Sequence, residues 1–151
     1  MKNIDSKLVS ILRAGGCTPQ ISRIAKQIKE PSTTIHYNIK KLEKQGCILA
    51  YKAVLDHKKV GQGFTSYVLM SLSPDEYGRP ERIADELSIY NEVESIDIIT
   101  GDWEIIVKVR AADQDSYYQF VKKVISRKGV AKVKTLISLK QVKSEFMIIG
   151  D

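Results

Sequence analysis

The chain has 151 residues, 43% of them hydrophobic and 28% charged, with a net charge of +6 and a pI near 9.2. That length fits one or two small domains, and no run of ~20 apolar residues is present to form a membrane span. The start, MKNIDSKLVS, has no apolar signal-peptide core, and Cys17 and Cys47 lack metal-ligand spacing, so both read as reduced small hydrophobes in a cytoplasmic protein.

The first element is an amphipathic helix. Asp5 is placed to cap it, Ile4 and Val9 to staple its start, and Ile4, Leu8, Ile11 and Leu12 form its apolar stripe before Gly15-Gly16 stops it. Thr18-Pro19 then signals a second helix start, because threonine caps backbone donors and proline suits the first helical position. Ile21, Ile24, Ala25 and Ile28 recur at helical spacing, and Lys29-Glu30-Pro31 breaks the run. Ser32 or Thr33 is positioned to cap a third helix with Ile35, Ile39 and Leu42 inward, and Gly46 ends it as a left-handed cap.

Two short helices joined by a tight break make a helix-turn-helix, and the outward residues of the second carry the chemistry. Ser32, Thr33, Thr34, His36, Tyr37 and Asn38 crowd its N-terminal half, where a recognition helix meets base edges; Lys40, Lys41 and Lys44 follow, suited to phosphates. A solvated basic helix face is the competing reading. Charge distribution favours DNA. Residues 1–52 hold ten Lys/Arg against three Asp/Glu, a net of +7, whereas residues 62–151 hold twelve against fourteen, a net of −2. Such a confined basic excess is the footprint expected for a polyanion. A membrane surface is disfavoured, since no lipid-binding apolar face accompanies the lysines.

Ile48–Leu55 reads as a strand, and Asp56–Gly63 as a polar linker. Beyond it the pattern alternates. Residues 64–72 form a strand, 81–90 a helix with Ile83, Ala84 and Leu87 inward, and 93–100 and 103–110 two strands joined at a tight Gly101-Asp102 turn. A helix from about Asp113 to Arg127 buries Tyr117, Phe120, Val121 and Val124, and a last strand alternates Val133, Thr135, Ile137 and Leu139 with Lys134, Ser138 and Lys140. Strand-helix-strand twice over is the split βαβ, ferredoxin-like pattern. Its second sheet face is expected to be apolar and to bury itself in a second copy, giving a homodimer. No catalytic cluster emerges: His36 and His57 stand without triad or metal partners, no glycine-rich phosphate loop exists, and Asp75, Glu76, Asp85 and Glu86 read as solvated.

These features resemble the Lrp/AsnC family of transcription regulators. The resemblance rests on IDSKLVSILRAGG (4–16), ISRIAKQI (21–28), STTIHYNIKKLEKQGCI (32–48) and TGDWEIIVKV (100–109). It departs at Asn38, where the family commonly has arginine, at Glu104 in place of aspartate, and at Cys47 in place of valine, a change expected to keep its buried character. The resemblance implies an α+β chain: a winged or three-helix helix-turn-helix DNA-binding domain over 1–52, a hinge strand and linker over 53–63, and a ferredoxin-like βαββαβ domain over 64–151 for dimerisation and effector binding. It implies a DNA-binding regulator with no cofactor, assembling as dimers that often build tetramers or octamers. An amino-acid effector is implied at Gly101 and Asp102, with Thr100, Glu104 and Thr135 nearby. Gly101-Asp102 serving only as a hairpin turn is the plainer alternative. An effector-independent architectural protein that coats DNA is the second functional reading.

Overall fold

The computed structural model describes residues 3–144 and 147–148, and the chain divides into two compact units, Met1–Leu55 and Asp56–Asp151. The first unit holds three helices: α1 (Asn3–Arg13), α2 (Ile21–Ile28) and α3 (Ser32–Lys44). Its apolar stripes converge on Ala25 and Ile35, both buried, while Ile4, Leu8, Ile11 and Ile28 stay more than half exposed.

Helix boundaries depart from the sequence reading in three places. Asp5 lies inside the first turn of α1 rather than at its cap, where its charge still complements the helix dipole. α2 begins after Thr18-Pro19, because the Pro19 carbonyl is taken by the Ile21 N–H and the Gln20 carbonyl opens the helical ladder to Ile24. Pro31 occupies the N-cap of α3, so Ser32 and Thr33 are helical and neither side chain caps. The far end of α3 closes as a Schellman motif: Gly46 adopts φ 71°, its N–H reaches the Glu43 carbonyl, and the Cys47 N–H reaches that of Leu42. Cys47 itself is exposed, not buried as expected.

The strand expected over Ile48–Leu55 is not formed within the chain. A strand needs a partner ladder, and here the backbone donors of Ile48 and Ala53 go instead to the Leu42 and Leu12 carbonyls at helix ends. The polar stretch that follows is a closed turn rather than an open linker. Asp56 Oδ1 accepts the N–H groups of Lys58 and Lys59, and Gln62 N–H donates to the His57 carbonyl at 2.7 Å.

The second unit runs β1 (Phe64–Leu72), α4 (Pro80–Ser88), β2 (Val93–Ile98), β3 (Ile105–Ala111), α5 (Gln114–Phe120), β4 (Val130–Ile137), and a short hairpin of β5 (Lys143–Ser144) and β6 (Met147–Ile148) that the sequence reading does not contain. The main sheet is antiparallel in the order β2-β3-β1-β4, the ferredoxin-like topology expected from the repeated strand-helix-strand pattern. α5 is capped by Asp113, whose Oδ1 accepts the Ser116 N–H at 2.8 Å; that bond holds the Asp113 carboxyl below its ordinary value. Its last turn, Val121–Ile125, widens to π geometry and buries Val124 and Ile125.

Alternation along β1 and β3 sends Val68, Met70, Ile105, Val107 and Val109 under the helices, where they meet Ile83, Leu87, Phe120 and Ile125 in one core. The opposite face is not bare apolar surface, contrary to expectation. Between Tyr67, Leu69, Ile106 and Leu136 it carries a charged cluster. Arg110, only 3% exposed, pairs with Glu94 and hydrogen-bonds Thr65 Oγ1 at 2.8 Å and Gln141 Oε1 at 2.9 Å; Lys108 reaches Glu94 at 3.0 Å. Nor are Glu76 and Glu86 simply solvated: Arg82 bonds both, and Arg127 joins Glu86 at 3.0 Å.

Candidate nucleic-acid interface

α3 projects its polar residues from a thin apolar base. At about 100° per residue, Ile35, Ile39 and Leu42 share one line, but only Ile35 is buried and Leu42 is 40% exposed rather than inward as expected; Thr33, Tyr37 and Lys44 form the line opposite. Ser32, Thr33, Thr34, His36, Tyr37, Asn38, Lys40, Lys41 and Lys44 are all exposed, and Tyr37 is 70% exposed, a large ring left in water. One helix therefore brings the nine residues together, but not with equal standing.

Asn38 lies about 60° from the Ile35 line, so it flanks the buried side rather than the outward one. Its Nδ2 donates to the Thr34 carbonyl at 2.9 Å, one turn back along the helix. Lys40 is also engaged: its Nζ sits 2.7 Å from Glu43 Oε2, and Glu43 Oε1 accepts from the Tyr51 hydroxyl at 3.2 Å. Among the described residues, no ion pair involves Lys41 or Lys44. The charge concentration is therefore sharpest at Lys41 and Lys44.

The turn between α2 and α3 is held by a strained residue. Lys29 adopts φ 58° so that the Glu30 N–H can reach the Ala25 carbonyl at 3.1 Å. That conformation fixes the sharp break that lets α3 stand off from α2.

The second group of sequence-singled residues lies in the other unit. The β2–β3 connection is a six-residue loop over 99–104, wider than the tight turn expected. It is closed by the Ile99 N–H on the Glu104 carbonyl at 2.9 Å. Thr100, Gly101 and Asp102 are exposed on it, and Gly101 has φ 117° with nothing near its missing Cβ. Glu104 turns inward, where its Oε2 accepts the Leu72 N–H at 2.8 Å beside the bulge that ends regular β1–β4 pairing. Thr135 sits opposite Val68 on β4 with its hydroxyl 2.9 Å from that of Tyr117. Val68 and Leu72 are four strand residues apart, roughly 13 Å. A single chain thus gathers Thr100, Gly101, Asp102 and Glu104 in one loop but leaves Thr135 elsewhere on the sheet.

Sequence reasoning missed Glu43, Tyr51 and the Glu94–Arg110–Gln141 cluster. A signal existed for the cluster: Lys108 and Arg110, two apart on a strand, must share one face and demand a counter-charge. Tyr51 gave none, because it meets Glu43 across a chain reversal rather than along one helix. Among the described residues no group of His, Cys, Asp and Glu is placed to hold a metal, and no helix is long and apolar enough to cross a membrane.

Residues 65–148 match the Lrp/AsnC ligand binding domain. An HTH-type transcriptional regulator of Pyrococcus furiosus is 32% identical over 126 residues, which cover 83% of this chain and 84% of the relative. An AsnC family transcriptional regulator from Agrobacterium tumefaciens has the same fold, with a TM-score of 0.76 over 99% of this chain and 97% of that one at 24% identity. So has a transcriptional regulator from Neisseria meningitidis solved in complex with L-Met, with a TM-score of 0.76 over 97% and 94% at 21% identity.

Proposed function

The chain belongs to the Lrp/AsnC family of transcription regulators, and from that premise we propose that it acts in the cytoplasm as a homodimer presenting two copies of α3 to successive major grooves. The observation that carries this reading is the polar, lysine-bearing outer face of α3 in a unit holding the chain's positive excess. Thr33, His36 and Tyr37 are the base-reading candidates, while Lys41 and Lys44 hold phosphates. Ser32, Thr34 and Asn38 flank them; Asn38 reads adenine only by giving up its bond to Thr34. Residues 1–52 serve as the DNA-binding part, 53–63 as the hinge, and 64–151 as the dimerising and effector-binding part. The role is binding rather than catalysis.

An amino acid is the proposed effector, with Thr100, Gly101 and Asp102 as its primary contacts. The exposed backbone of the loop suits a carboxylate and Asp102 an ammonium. Glu104 supports the loop through Leu72, and Thr135 contributes from a neighbouring subunit, since one chain does not bring it to the loop. The complex of the Neisseria relative with L-Met agrees with this ligand class. Titration calorimetry of the full chain against the common amino acids tests it, with DNA footprinting in parallel. Heat from at least one amino acid and a changed footprint in its presence are expected. No heat from any of them, with an unaltered footprint, would contradict the amino-acid effector, and uniform coverage in place of discrete protected sites would leave the effector-independent architectural reading.

A further inference from the structure

Of the three lysines on α3, Lys40 is the one with an ion-pair partner among the described residues. Its ammonium lies 2.7 Å from Glu43 Oε2, and the other oxygen of the same carboxylate takes the Tyr51 hydroxyl at 3.2 Å. Glu43 is thus held at two points, by its own helix and by the segment that leaves the helix-turn-helix. We propose that Glu43, anchored by Tyr51, is a brake on the affinity of the DNA interface: it occupies Lys40 and keeps a phosphate from docking there.

The charges work in one direction. A phosphate approaching Lys40 meets a carboxylate that already neutralises the cation and repels the newcomer. Hydrogen bonding to Glu43 holds the Lys40 ammonium above its ordinary value, and the same bond holds the Glu43 carboxyl below its own, as mutual pairing requires. Phosphate contacts add affinity for every sequence alike, so suppressing one lowers binding to all duplexes and leaves base contacts a larger share of the affinity that remains. The Tyr51 bond matters because an exposed glutamate on a helix end otherwise samples many rotamers.

The proposal rests on the DNA-binding reading only in where its effect is measured. The test uses the full chain on a random-sequence duplex over a range of salt concentrations. Glu43→Gln is expected to tighten binding several-fold at low salt and to steepen the log–log salt slope by about 0.9, the value of one added phosphate contact. Tyr51→Phe is expected to give part of that gain, and the double variant Glu43→Gln/Lys40→Ala to bind no better than Lys40→Ala alone. An unchanged slope in Glu43→Gln, or a gain that persists without Lys40, overturns the proposal. The ion pair is also read without DNA, by NMR titration of the Lys40 side chain. Glu43→Gln must move its pKa down toward an ordinary lysine, and no movement overturns the brake. A wild-type chain that binds no duplex while showing this shift instead locates the failure in the DNA-binding reading.

Discussion

Lys29 pays for the helix-turn-helix geometry with a left-handed backbone that glycine adopts freely. Lys29→Gly is expected to raise stability by up to ~1 kcal/mol, part of the relieved strain being offset by a more flexible unfolded chain. Urea denaturation checks this: the midpoint should rise with an unchanged slope. On the interface, Lys41→Ala is expected to weaken binding to all duplexes and to flatten the salt slope by about 0.9, since no ion pair among the described residues engages its charge. Equal loss at low and high salt contradicts a phosphate role. At this scale the sequence was legible where spacing fixes position, as at Ile35 and Gly46. It was not legible where a side chain picks its partner across space. Nothing in STTIHYNIKK says that Asn38 folds back on Thr34 or that Lys40 finds Glu43.

Among elements, the helices and the four main strands follow from apolar periodicity; β1, β3, α4 and α5 bury their stripes in the core of the second unit, whereas the α1 stripe stays largely exposed. Ile48–Leu55 has strand composition but pairs with no strand among the described residues, and its Ile48 and Ala53 donors go to helix-end carbonyls instead. The β2–β3 loop opened wider than Gly101-Asp102 suggested because Glu104 is drawn off to satisfy Leu72. Gly101→Ala should cost about 1–3 kcal/mol through backbone strain alone, since space for the methyl group exists. Asp102→Asn, by contrast, should leave stability within about 0.5 kcal/mol while weakening effector binding. Thermal unfolding and calorimetry together separate the two roles.

On the open face of the sheet, burial pushes the Glu94 carboxyl up, but hydrogen bonds from Arg110 and Lys108 outweigh it and hold it below the ordinary value of 4.5. Its stabilisation is therefore fully present above about pH 4.5 and is lost as pH falls through the lower folded-state value. Glu94→Ala strands the Arg110 guanidinium and should cost on the order of 3 kcal/mol at neutral pH, with the wild-type advantage shrinking in acid. Denaturation midpoints at pH 7 and pH 3 check this.

For the whole molecule, charge and topology divide the labour. The first unit, with ten Lys/Arg against three Asp/Glu over residues 1–52, concentrates the basic charge; the second carries a self-contained βαββαβ core. Exposed apolar side chains on α1, the unpaired Ile48–Leu55 segment and the mixed open face of the sheet all fit a chain that completes itself by association. Sedimentation should accordingly report a dimer or a multiple of it, and no monomer, at micromolar concentration. Two copies of α3 reading paired half-sites would leave their symmetry in the DNA that the full chain selects in vitro at moderate salt. A short palindrome is expected, with half-site centres about one helical turn, or a whole multiple of it, apart. Enrichment with no common sequence and no symmetry would contradict it.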